Sequence, residues 1–152
     1  YIVALMTQLI DPQPHFRVLD VGTGSGYQAA VLAELVAEVY SVEIIELLAQ
    51  VARTRLNELY SNVHVSCVDG GWGLPDQAPF DAIICAAAAK KLPQELLAQL
   101  SVGGRLVIPV ESPKKQAHQQ LLLFEKRANG TIQETNIGAV SFVPLTGETQ
   151  TD

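Results

Sequence analysis

Asp20-Val21-Gly22-Thr23-Gly24-Ser25-Gly26-Tyr27 joins two segments of different periodicity. Before it, Arg17 to Val21 reads as a short buried strand. After it, Ala29, Leu32, Ala33 and Val36 share one face of a helix predicted over Tyr27 to Val36. Glycines at 22, 24 and 26 let the backbone turn tightly and approach a ligand without a Cβ in the way. Strand, glycine turn and helix in that order place a binding crevice beyond the strand's carboxyl end.

The pattern continues outward. Tyr1 to Ile10 reads as a helix, broken by Asp11-Pro12-Gln13-Pro14. Glu38 to Glu43 reads as a second strand. Ile45 to Leu59 reads as a helix with Leu48, Ala52, Leu56 and Leu59 on its core face. Val63, Val65 and Cys67 alternate with His64 and Ser66 in a third, half-buried strand. A Gly- and Pro-rich loop over 69–79 precedes a fourth strand at Asp81 to Ala86, apolar from Ala82 onward as a central parallel strand is. Leu92 to Leu100 gives a short helix, and Gly103-Gly104 turns into a fifth strand, Arg105 to Val110. Gln119 to Lys126 and Glu134 to Val143 flank Asn129-Gly130, a favoured hairpin turn. The order predicts an α/β fold: a mostly parallel central sheet, helices on both faces and a C-terminal antiparallel hairpin. Residues 1–152 read as one domain, without internal repeat or linker.

Composition narrows the function classes. With 48% hydrophobic and 17% charged residues the chain is globular, and no apolar run approaches the roughly 18 residues of a membrane span. A net charge of -6 with no basic stripe argues against nucleic acid as a partner. The basic doublets Lys90-Lys91 and Lys114-Lys115 read as solvated faces. Cys67 and Cys85 lack metal-ligand spacing and read as buried, reduced thiols of a cytoplasmic protein. His15, His64 and His118 are scattered, so neither a metal site nor a Ser-His-Asp arrangement is expected. Trp72 is the only tryptophan; covering a ligand and anchoring its loop are equally open roles. The chain opens at Tyr1 without a leader pattern, inside what reads as a helix, so its natural start is expected upstream.

The glycine spacing narrows the ligand. A dinucleotide fingerprint needs its third glycine at 27, which is Tyr27, so an NAD-dependent oxidoreductase is disfavoured. The acidic-x-G-x-G-x-G form, with Asp20 leading, resembles that of class I methyltransferases, which take a ligand without phosphates. Glu43 closes the second strand, where a carboxylate can accept from both ribose hydroxyls. Asp69-Gly70 closes the third, with the carboxylate expected at the adenine amine and a plain Asx turn as the alternative.

Beyond the class, Arg17-Val-Leu-Asp-Val-Gly-Thr-Gly-Ser-Gly-Tyr-Gln28 resembles the first motif of the protein-L-isoaspartate (D-aspartate) O-methyltransferases. Tyr40-Ser-Val-Glu43, Asp69-Gly70, the stretch from Ala78 to Ile84, Ala87-Ala88, the stretch from Gly103 to Pro109 and Val140-Ser-Phe-Val-Pro-Leu145 match as well. The resemblance implies a Rossmann-like methyltransferase fold. It also implies methyl transfer from S-adenosyl-L-methionine, leaving S-adenosyl-L-homocysteine, to the free carboxylate of isoaspartyl residues in damaged proteins. Cofactor contacts are then expected from Asp20, Gly22, Thr23, Gly24, Ser25, Gly26, Tyr27, Glu43, Asp69 and Gly70. Substrate contacts are expected from Phe142, Val143, Pro144 and Leu145. The family's substrate-orienting Ser, and a helical region that helps enclose the cofactor, would lie upstream of Tyr1. Val68 stands where the family has Gly and would add bulk at the adenine edge; Ala86 replaces a small polar residue or Gly. A cytoplasmic monomer without metal, membrane or nucleic-acid partners completes the expectation. Two other readings stay open: a methyltransferase for a different carboxylate or small molecule, and a non-catalytic binding module on the same fold.

Overall fold

A computed structural model describes residues 1–113 and 118–151; the Lys114-Lys115 doublet lies outside the described residues. Seven strands form one sheet: β1 (Arg17–Val21), β2 (Glu38–Glu43), β3 (Val63–Cys67), β4 (Phe80–Cys85), β5 (Leu100–Glu111), β6 (Gln119–Lys126) and β7 (Ile132–Ala139). Their spatial order is β3-β2-β1-β4-β5-β6-β7. The first five are parallel, and β6 and β7 add antiparallel to β5. The chain moves to one side of β1 for β2 and β3 and to the other for β4, so a crevice opens where the connections diverge.

Alternation along the strands builds two apolar layers. Val18, Val39, Ala82 and Ile84 face one side, where α1 (Ile2–Leu9), α2 (Tyr27–Ala33) and α3 (Glu46–Leu59) supply Met6, Leu32, Ala52 and Leu56. Leu19, Val42, Phe80, Ile83 and Leu106 face the other, with Leu96 from α4 (Gln94–Ala98). Burial on both faces accounts for the apolar run from Ala82 to Cys85 in β4.

Most elements sit where the periodicity placed them, with four differences. Helix α2 stops at Ala33, because both Leu35 N and Val36 N then bond to the Leu32 carbonyl and tighten the chain into a turn. On α3 the core face is Ala49, Ala52 and Leu56; Leu48 and Leu59 are 40% and 69% exposed. Strand β5 starts at Leu100, and a register shift between Phe80↔Leu100 and Ala82↔Arg105 takes up the segment read as a glycine turn. Strand β7 covers Ile132–Ala139 and not 134–143. There the Gln119 carboxamide takes over from the ladder, accepting from Phe142 N at 2.7 Å and donating to Phe142 O at 3.0 Å. The chain thereby leaves the sheet edge and heads for the crevice.

Helix α1 is held through its C-terminal half. Arg105 Nη1 donates to the Leu9 carbonyl at 3.1 Å, a cation at the negative end of the helix dipole. Gln28 Nε2 donates to Thr7 Oγ1 at 2.9 Å, and that hydroxyl donates to the Val3 carbonyl. Gln28 is buried while its neighbour Tyr27 is exposed, so the Tyr-Gln pair has a physical role: its second member docks α1 on α2.

Candidate active site

A cavity of about 550 Å³ lies at the carboxyl ends of β1 and β2, within the range of small-molecule sites. The glycine turn supplies Gly22, Thr23, Gly24 and Ser25, and α2 supplies Tyr27 and Gln28. Glu43, Ile44, Ile45 and Leu48 come from the end of β2 and the start of α3, and Gly70 from the turn after β3. Ala86 and Ala87 follow β4, and Val143, Pro144, Leu145 and Thr146 close the far side. Val3 of α1 reaches the same space.

Gly24 has φ +53°, a left-handed conformation costly for residues with a Cβ, and a Cβ built there would meet no atom within 4 Å. Its backbone therefore borders open space at the cavity. The Gly24 amide is held by the Glu43 carboxylate, with Oε1 accepting at 3.0 Å while Oε2 accepts from Ile45 N at 3.1 Å. One buried side chain thus clamps the glycine turn to the start of α3. Each carboxylate oxygen has a second acceptor direction, so the clamp leaves Glu43 able to receive hydroxyl donors. Among the described lining residues Glu43 is the one carboxylate, and none is His, Lys or Cys.

Asp20 stands behind this wall and not in it. It is fully buried; Oδ2 accepts from Ser41 Oγ at 2.7 Å, and Ser41 Oγ lies 2.6 Å from Thr23 Oγ1. Among the described residues Oδ1 has no hydrogen-bond partner. Loss of water pushes the carboxyl up to about 7; the Ser41 hydrogen bond opposes this and the Glu43 charge adds to it. The Asp20–Ser41–Thr23 chain braces the glycine turn from the core side. Gly26, at the start of α2, packs on Leu56 of α3.

Asp69 is likewise outside the lining. Its Oδ1 accepts from Gly71 N at 3.0 Å and its Oδ2 from Glu148 N at 2.8 Å. Phe142 turns its ring into the core beside the helices, whereas the three residues after it reach the cavity. Of the fourteen expected contacts, Asp20, Gly26, Asp69 and Phe142 are therefore the ones not on the cavity surface. Val68 is 37% exposed and also off the lining, so its bulk does not fill the cavity; Ala86 does line it. Trp72 is 44% exposed on the turn Gly70–Trp72, off the cavity, with its carbonyl accepting from Gln99 Nε2 at 2.8 Å.

Other expectations divide similarly. Cys85 is buried, with its thiol pushed up to about 12 by burial, but Cys67 is exposed, because it ends a strand at the sheet's edge. His64 pairs with Glu38 at 2.7 Å on the surface. Among the described residues no group of three or more His, Cys, Asp or Glu is placed to hold a metal, and no helix is long and apolar enough to cross a membrane.

Missed from sequence were Val3, Ile44, Ile45, Leu48 and Thr146. Ile44-Ile45-Glu46-Leu47-Leu48 carries apolar residues on every side of the helix start, more than one core-facing stripe requires. That excess was the available signal for a second apolar surface.

The family model for protein-L-isoaspartate(D-aspartate) O-methyltransferase matches residues 1–150. A Polaromonas sp. protein-L-isoaspartate O-methyltransferase 2 is 52% identical over 97% of this chain, which covers 70% of that relative. The corresponding Syntrophobacter fumaroxidans protein is 53% identical over 97% of this chain, which covers 59% of it. A solved protein-L-isoaspartate O-methyltransferase superposes with a TM-score of 0.88 at 27% identity, over 98% of this chain and 47% of its own. A Plasmodium falciparum structure assigned to the same activity, in complex with S-adenosyl-L-homocysteine, gives a TM-score of 0.74 at 25% identity, over 94% of this chain and 70% of its own.

Proposed function

The chain belongs to the protein-L-isoaspartate(D-aspartate) O-methyltransferase family, and on that premise we propose that it methylates the free carboxylate of L-isoaspartyl and D-aspartyl residues in damaged proteins, with S-adenosyl-L-methionine as donor. The observation that carries the proposal is the Glu43 clamp. A carboxylate fixed by two backbone amides, beside a left-handed glycine, borders a largely apolar cavity of small-molecule size. The residues fit the donor's chemistry: Glu43 can receive paired ribose hydroxyls, and the glycine turn permits close backbone approach. Ile44, Ile45 and Leu48 offer an apolar surface to a flat base.

S-adenosyl-L-methionine supplies, when bound, a methyl group activated by the adjacent sulfonium. Everything else falls to the chain. Gly22, Thr23, Gly24, Ser25, Tyr27, Glu43 and Gly70 hold the donor side, and Val143, Pro144 and Leu145 the acceptor side, with Ala86 and Ala87 between. Asp20 and Gly26 act one layer back, fixing the turn's shape. An isoaspartyl carboxylate, with a pKa of about 4, is already ionised at neutral pH and needs no base. A lining without His, Lys or Cys is thus in keeping with the reaction. Catalysis reduces to placement in a largely apolar cavity, and placement of that kind contributes about 7–11 kcal/mol. The net charge of -6 is in keeping with a protein acceptor and not a nucleic acid. A monomeric, one-domain, cytoplasmic repair enzyme is the form we assign to this activity.

Calorimetric titration with S-adenosyl-L-homocysteine, with NAD as control, tests the donor side. Methylation of an isoaspartyl peptide against its aspartyl isomer tests the acceptor. Binding of NAD in preference, or equal methylation of both peptides, would overturn the proposal.

A further inference from the structure

The segment over 143–150 returns to the cavity after the hairpin and is held in two different ways. Its first part is stitched to the loop after β4: Ala88 N donates to the Val143 carbonyl at 2.8 Å and Leu145 N to the Ala88 carbonyl at 2.7 Å. Its second part is held by side chains. Asp69 Oδ2 accepts from Glu148 N at 2.8 Å. The buried Gln150 carboxamide accepts from Lys90 N at 2.7 Å through Oε1 and donates to the Lys91 carbonyl at 3.2 Å through Nε2.

The packing at these anchors is close. Gly147 has φ +127°, and a Cβ there would collide with the Asp69 carboxylate. A Cβ at Gly71 would collide with Thr149. A primary amide is also the side chain that can serve a backbone N–H and a backbone C=O of one turn at once. A carboxylate would lose the donor, and an aliphatic chain would leave both backbone groups without that partner.

We propose that Gln150 is a positioning residue for the acceptor. Together with Asp69 it holds the strap 146–150 so that Val143 to Thr146 present a fixed lip to the incoming isoaspartyl segment. The inference rests on the methyltransferase reading. Glu43 is held by the Gly24 and Ile45 amides and not by the strap, whereas the lip runs through Thr146 directly into it. Loosening the strap therefore weakens the acceptor and leaves the donor.

The test uses the full-length protein with Gln150→Ala and Gln150→Glu. Three quantities are read: KM and kcat for an isoaspartyl peptide, Kd for S-adenosyl-L-homocysteine, and amide hydrogen exchange at Glu148. Q150A should raise the peptide KM about ten-fold, the equivalent of one or two hydrogen bonds, with kcat and Kd within about two-fold. Exchange at Glu148, whose own partner is Asp69 and not Gln150, should accelerate by a similar factor. Q150E keeps the acceptor for Lys90 N–H and should fall between; it also decides the matter if Q150A does not fold. An unchanged KM, a Kd rising in step with KM, or unaltered exchange at Glu148 would overturn the inference. If the wild type does not methylate the peptide at all, the proposed function fails, and the exchange measurement alone decides whether Gln150 anchors the strap.

Discussion

Replacing Asp20 by asparagine should change how stability depends on pH. The carboxyl is fully buried, and its pKa moves from 3.8 to about 7, chiefly through desolvation. Unfolded chains release this proton near 3.8 and folded ones near 7. Between those values the folded state binds more protons, so its stability falls as pH rises. The contribution is fully present below the unfolded value and is lost by the time pH passes the folded one. Over the whole interval the loss is about 4 kcal/mol, of which about 2–3 kcal/mol falls between pH 5 and pH 8. The carboxamide introduced by D20N carries no charge at either pH and keeps an acceptor for Ser41 Oγ; any cost of its NH₂ group is the same at both. The assay is urea unfolding of both proteins at pH 5, 6, 7 and 8. The wild type should lose about 2–3 kcal/mol relative to D20N across that range, roughly 5–10 °C in Tm for a domain of this size. Groups that do not interact with Asp20 are common to both proteins and cancel. Parallel stability curves would refute the reasoning, because they would mean that Asp20 is ionised in the fold at pH 5 and that its burial is compensated.

Three further outcomes are expected. Glu43→Ala should weaken S-adenosyl-L-homocysteine by about 1.5–3 kcal/mol in calorimetry, the range for losing charge-assisted hydrogen bonds; unchanged affinity would place the ribose elsewhere. Gly24→Val puts a β-branched residue at φ +53° and a side chain beside the cavity, so binding should vanish while circular dichroism still reports a folded chain; retained binding would contradict the close backbone approach. A thiol reagent should modify Cys67 in the native protein and Cys85 only after unfolding, as mass spectrometry would read directly; rapid labelling of both would show that the carboxyl end of β4 is open.

Periodicity made the layer order legible, because each strand's alternation and each helix's stripe report burial of that element alone. Arg17–Val21, Glu38–Glu43 and Val63–Cys67 were readable to the residue. The departures arise where something outside the element acts on it. Leu48 has core spacing but lines the cavity, since the start of α3 faces both the sheet and the crevice. The end of β7 is set by Gln119, whose carboxamide grips Phe142 from 23 residues away in sequence. The place of Asp69 at the end of β3 pointed to an adenine contact, yet Gly71 takes one of its oxygens and Glu148, 79 residues on, the other. Motif reasoning found the glycine-turn side of the cavity, which is contiguous in sequence apart from Glu43 and Gly70. It found the opposite wall through Val143-Pro144-Leu145 but not the side chains that hold that wall in place.

The reach of the Asp69–Glu148 contact also bears on synthesis. The glycine turn, Glu43 and the first four strands emerge early from the ribosome, at about 5–20 residues per second. The cavity's remaining wall arrives only with residues 143–150, after β6 and β7. A nascent chain can thus assemble most of its sheet for several seconds while lacking a finished site. Ile44, Ile45 and Leu48 stay exposed in the finished fold as well, so residues 143–150 add the second wall and not a cover for these side chains. Translation speed through residues 112–150 would therefore govern how long the sheet exists without its finished cavity.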